Sequence, residues 1–139
     1  MQIRGGCHCG NLRFTLEWGG EPPTIPARAC GCSFCVKHGG VWTSSPCGTL
    51  TVSVREATQL ARYAFGTRTA EFLTCRACGV VPVVTSLIAG RRYAVVNVNT
   101  FEDFDRARLA PGAASFDGED GATRLARRAR SWIADVRGP

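Results

Sequence analysis

The sequence predicts a mainly β domain that closes with a C-terminal amphipathic helix, and three observations carry the prediction. Up to about residue 100, short runs rich in Val, Thr, Tyr and Phe alternate with Gly, Pro and Ser clusters. From Gly121 the apolar residues change to helical spacing. Seven of the 8 cysteines fall into three tight groups, each at a turn between such runs.

Seven strands are expected: Asn11 to Glu17, Thr24 to Ala29, Thr49 to Arg55, Ala61 to Phe65, Ala70 to Thr74, Val80 to Leu87 and Arg91 to Asn99. In Thr49 to Arg55 the residues Leu50, Val52 and Val54 point one way, as in a half-buried strand. Pro82 inside the sixth run argues for an edge or a bulge, because proline cannot donate to a ladder. Pro111 to Gly121 reads as a connecting loop. Beyond it, Leu125, Ala129, Trp132, Ile133 and Val136 form one stripe of a helix over about 121–137, with Arg124, Arg127, Arg128 and Arg130 on the other side. Asp117 or Asp120 caps its start.

With 139 residues, 45% hydrophobic and 20% charged, the chain suits one globular domain over 1–139. Met1 to Gly10 is polar and glycine-rich, unlike a signal peptide, and no run approaches the roughly 18 apolar residues of a membrane span. A soluble, cytoplasmic protein without a membrane partner is expected. In that reducing compartment, grouped cysteines read as metal ligands rather than disulfides. The formal charge of +6 assumes neutral thiols; seven thiolates on two zinc ions bring it to about +3. The arginine run, with no interleaved aromatic residues, reads as a solvated helix face, so nucleic acid is not an expected partner.

The groups are Cys7-His8-Cys9-Gly10, Cys30-Gly31-Cys32-Ser33-Phe34-Cys35 and Cys75-Arg76-Ala77-Cys78-Gly79. The first and third each end in glycine, which permits the tight turn that wraps N–H groups around a bound sulfur. Cys7, Cys9, Cys75 and Cys78 are therefore natural partners in a closed, structural zinc site that staples the sheet. Cys30, Cys32 and Cys35 supply three thiolates without an obvious fourth ligand, the arrangement catalytic zinc uses.

Those three motifs resemble the family of glutathione-dependent formaldehyde-activating enzymes, whose domain also occurs in centromere protein V. The resemblance covers about residues 3–100, and the C-terminal tail departs from the family pattern. It implies a β-tent-like fold of small antiparallel sheets organised around zinc, structural zinc on Cys7, Cys9, Cys75 and Cys78, and catalytic zinc on Cys30, Cys32 and Cys35. It also implies formaldehyde and the glutathione thiol as partners, joined as S-hydroxymethylglutathione in a carbon–sulfur lyase reaction read backwards.

The expected function is thus a zinc-dependent, lyase-type protein forming or handling thiol–aldehyde adducts. The alternative is a zinc-stapled binding module or adduct carrier whose basic helix meets a partner. An anionic thiol would suit Lys37 or Arg28, although both are commonly surface residues. His38 is a candidate fourth ligand or proton shuttle, whereas His8 should point away from the metal. Cys47 is either a small buried hydrophobe or the ligand that completes the second site. Asn97 and Asn99 default to solvent-facing strand positions, and Phe34, Trp42 and Phe65 to core or pocket wall.

Overall fold

A computed structural model describes residues 1–139. In chain order its elements are β1 (Gln2–Gly6), β2 (Leu12–Glu17), β3 (Ile25–Cys30), α1 (Ser33–His38), β4 (Val41–Thr43), β5 (Thr49–Val54) and β6 (Leu60–Tyr63). Then follow β7 (Glu71–Cys75), β8 (Val83–Ile88), β9 (Arg91–Asn97), β10 (Phe101–Glu102), β11 (Leu109–Ala114), α2 (Gly121–Ser131) and β12 (Asp135–Arg137). The mainly β fold of small sheets with one long C-terminal helix is present, and all seven expected strands exist within a few residues of their expected bounds.

Two sheets form, a five-stranded one ordered β10-β1-β2-β5-β12 and a seven-stranded one ordered β11-β3-β4-β9-β8-β7-β6. Pairing is antiparallel except where β11 joins β3 and β12 joins β5, both parallel. The main core fills the space between the sheets: Ile3, Leu12, Phe14, Leu16, Leu50 and Val52 from the first meet Ile25, Leu73, Val83, Ala94 and Val96 from the second. In β2 and β5 the burial alternates, so each strand gives one face to this core. A second cluster, Cys35, Trp42, Phe72, Val81, Val84, Val95 and Trp132, lies on the other face of the larger sheet. Strands β8 and β9 are consequently buried on both faces.

That two-sided burial corrects two expectations. Pro82 is neither at an edge nor in a bulge: it is fully buried and precedes β8, which is interior to its sheet. Asn97 is also buried, and its side-chain amide donates to the Val81 carbonyl at 3.1 Å. Asn99 lies just beyond β9 in a short 3₁₀ turn, where its amide donates to Gly39.

The region after residue 100 departs most from expectation. Part of the supposed loop, Pro111 to Ala114, belongs to β11, held at the open edge of β3 where proline and glycine are tolerated. Asp120, not Asp117, caps α2, accepting from the Thr123 N–H at 2.7 Å. The helix stops at Ser131 rather than near residue 137, because the chain turns extended at Trp132 so that Ile133 bridges to Ala94 and β12 pairs with β5. The expected stripe is also rotated: Ala129 is exposed, whereas Arg128 is 7% exposed and Arg124 and Arg127 are half-buried.

Candidate metal centres and pocket

Cys7 follows β1 and Cys75 closes β7, so the first and third cysteine groups belong to different sheets. Their turns repeat one hydrogen-bond pattern. The Gly10 N–H donates to the Cys7 carbonyl at 3.1 Å and the Gly79 N–H to the Cys75 carbonyl at 2.8 Å; Cys7 and Cys75 in turn donate to Leu12 and Val80. Gly10 and Gly79 have φ of 83° and 80°, the left-handed region these turns require. The result brings the Sγ atoms of Cys7, Cys9, Cys75 and Cys78 within 4.8 Å of one another. Cys7 lies 3.7 Å from Cys9, and Cys9 3.5 Å from Cys75. Tetrahedral zinc with Zn–S bonds of about 2.3 Å needs sulfurs roughly 3.8 Å apart, so the set fits that ion. The Leu12 N–H also donates to the Cys7 sulfur at 3.2 Å, as backbone does around a bound thiolate.

Without metal, Cys7 and Cys78 are poorly matched. Burial pushes Cys7 up to about 11. At Cys78 burial acts in the same upward direction, but hydrogen bonds from backbone and neighbouring thiols outweigh it and leave a value of about 6.

The second set is built at one corner. Cys30 ends β3, Cys32 caps α1 by accepting from the Cys35 N–H at 3.3 Å, and Cys35 sits 3% exposed inside the helix. These three sulfurs also lie within 4.8 Å of one another. The Trp42 indole N–H donates to the Cys35 sulfur at 3.4 Å. The hydrogen bond from Cys35 lowers the Cys30 thiol to about 5 against the opposing effect of burial, and the charge of Arg127 assists; Cys35 itself is driven well up. A set of three soft sulfurs, one already inclined to ionise, suits zinc with one position left for another ligand.

No side chain completes this second set. His38 stands outside it, its ring tilted against Phe34 with centroids 4.4 Å apart, and its Nε2 is buried without a partner. Cys47 is exposed in the loop before β5, close to Gly19, so it is neither a buried hydrophobe nor a ligand. His8 and Lys37 are exposed.

The three sulfurs open onto a cavity of about 360 Å³. Trp42, Phe65, Phe72, Val84, Val95 and Trp132 make much of its wall, while α2 contributes Arg124, Arg127 and Arg128. Arg28, from β3, donates to the Ser44 hydroxyl at 2.9 Å, and that hydroxyl donates to the Ser131 carbonyl. Arg127 grips both oxygens of Glu119 at 3.0 and 3.1 Å and lies over the Phe116 ring. Arg128 donates to Thr69 and Ser86 and has burial, then the charges of Arg127 and Arg124, to lower it to about 10.

Sequence reasoning assembled both cysteine sets and anticipated Trp42 and Phe65 as pocket or core wall. It missed the arginines of α2, although Arg124, Arg128 and Trp132 recur every four residues and so share a helix face.

The family model for glutathione-dependent formaldehyde-activating enzyme matches residues 2–119. The chain belongs to that family. Among solved structures, a Rhodobacter sphaeroides protein is similar to this member of the formaldehyde-activating enzyme family, with 30% sequence identity and a TM-score of 0.58 over 80% of this chain and 99% of that one. No curated protein matches the chain. The family match ends before α2, so the helix that lines the cavity with arginines lies outside it. No helix of this family member is long and apolar enough to cross a membrane.

Proposed function

We propose that the protein is a zinc-dependent carbon–sulfur lyase-type enzyme that forms and releases thiol–aldehyde adducts such as S-hydroxymethylglutathione. In this reading Cys30, Cys32 and Cys35 hold the catalytic zinc, and Cys7, Cys9, Cys75 and Cys78 a structural one. The observation that carries it is the three-sulfur set opening onto a cavity, with no fourth protein ligand.

Zinc held there would supply a position that lowers the pKa of a substrate thiol. The chain's own groups do the rest. Cys32 is locked as the cap of α1, and the Trp42 N–H fixes Cys35, so two ligand sulfurs are oriented before substrate arrives. The aromatic wall excludes water that would compete for the aldehyde. In the addition, a carbon–sulfur bond forms between thiol sulfur and aldehyde carbon. The carbonyl π pair moves to oxygen, which ends as a hydroxyl carrying the proton the thiol gave up.

A basic helix offered to a partner draws less support, because Arg124, Arg127 and Arg128 turn toward the cavity and only Arg130 of that run is exposed. The test is to follow adduct formation from ¹³C-formaldehyde and glutathione by exchange NMR, with zinc-loaded protein and with Cys32→Ser. Because thiols add to formaldehyde unaided, the expected result is exchange faster than the uncatalysed rate for the wild type alone. An identical rate with and without protein sinks the enzyme reading.

A further inference from the structure

The cavity wall holds more positive charge than its acids answer. Arg28, Arg124, Arg127 and Arg128 line it. Glu119 grips Arg127 and lies 3.6 Å from Arg124. Asp117, the one acid on the wall itself, is exposed at the rim and makes no ion pair. Neither Arg28 nor Arg128 has a carboxylate within 4.0 Å. Arg128 is the telling case: it is 7% exposed, its Nη1 is satisfied by two hydroxyls, and its buried Nε has no partner. A guanidinium taken out of water without a counter-ion is costly, and an anion bound beside it removes that cost. The remainder of the wall is largely carbon, from Trp42, Phe65, Phe72, Val84, Val95 and Trp132.

We infer that the cavity takes an anionic thiol with an apolar body, an aryl- or alkyl-bearing carboxylate whose charged head rests against Arg28 and Arg128. Its sulfur points toward Cys30, Cys32 and Cys35, a placement that rests on the proposed function. Guanidinium and carboxylate match in charge and in planar fork geometry, and the apolar body covers the aromatic wall. Glutathione is the poorer fit. It brings a second carboxylate and an ammonium into the same space, and only the rim carboxylate of Asp117 is free to meet the ammonium.

The test compares 2-mercapto-3-phenylpropanoate, its uncharged primary amide and glutathione by calorimetric titration of the zinc-loaded full chain. The acid is expected to bind about tenfold tighter than its amide, the scale of a charge-assisted pair, and tighter than glutathione. Arg28→Gln and Arg128→Gln are each expected to shrink the acid-over-amide preference while leaving zinc content unchanged. Arg128 is buried, so should its variant not fold, Arg28→Gln decides alone. Equal binding of acid and amide, tightest binding by glutathione, or a preference that survives in every folded arginine variant overturns the inference. The ¹³C-formaldehyde exchange assay, run with 2-mercapto-3-phenylpropanoate as well as with glutathione, separates the two readings. An arginine-dependent preference without faster exchange overturns the adduct reading alone, and faster exchange with glutathione binding tightest overturns this inference alone.

Discussion

In the proposed reading, the two cysteine sets use the same chemistry to opposite ends. Cys7, Cys9, Cys75 and Cys78 come from two similar turns on different sheets, and four sulfurs would fill a tetrahedral ion's positions. Cys30, Cys32 and Cys35 come from one strand and the helix that follows it, and they face a cavity. Sequence separation explains the division. A metal site that spans residues 7 to 78 would close long chain loops when it forms and so hold the fold together. One confined to six residues would close almost nothing and leave a position for substrate.

The largest expected effect tests the first half of that contrast. Cys75→Ser removes a fully buried ligand, and the loss of zinc there should cost at least about 3 kcal/mol of stability, since structural zinc contributes directly to folding. Circular dichroism melts beside zinc analysis check it, and an unchanged melting temperature with one zinc lost would reverse the assignment. Next, Cys32→Ser should lower zinc from two per chain to one with the melt nearly unchanged, and should abolish catalysed exchange. One zinc per chain in both proteins would remove the two-centre model.

A smaller effect sharpens the comparison at a single hydrogen bond. Trp42→Phe deletes the N–H that reaches Cys35 while keeping an aromatic ring. Zinc affinity at the three-sulfur set should fall roughly tenfold, the scale of an outer hydrogen bond to a ligand, as read by chelator competition. The four-sulfur set should not respond; weakening at both sets would mean the change acts through the fold.

The smallest effect concerns pH and α2. Arg127 beside Glu119, followed by the charges of Arg124 and Arg128, holds the Glu119 carboxyl below its ordinary value near 4.5. A depressed carboxyl stabilises the folded state above its unfolded pKa, and the contribution is lost as pH falls through the folded one. The wild type should therefore melt slightly above Glu119→Gln at neutral pH, and the two melts should converge as pH falls through the lowered Glu119 value. A constant gap across that range would show that charge pairing is not what Glu119 contributes.

Much of the architecture was legible because burial repeats in sequence. Leu50 and Val52 mark β5 by alternation, and the paired turns of Gly10 and Gly79 mark a four-sulfur site. The C-terminal region was less legible because its burial follows no apolar pattern. Arg128 enters the protein on the strength of two hydroxyls, Ser86 in β8 and Thr69 in the loop before β7, partners about forty to sixty residues away that local spacing does not reveal. Pro111 and Gly112 lie in a strand because β3 offers an edge that tolerates them. Asn97 is buried because β9 has protein on both faces, which a single alternating strand cannot announce.

The two parallel pairings also set an order of events in time. All seven grouped cysteines and the first ten strands precede β11, α2 and β12 in the chain. A nascent polypeptide can therefore gather its sulfurs before α2 emerges, with the three-sulfur corner still open to the surrounding water. Once Ile133 bridges to Ala94 and β12 adds beside β5, α2 is held at its C-terminal end and the arginine-lined wall is complete. In the proposed reading, metal capture and substrate selection are thus separated by synthesis itself, the first available to a chain made as far as Cys78 and the second to one that includes α2 and β12.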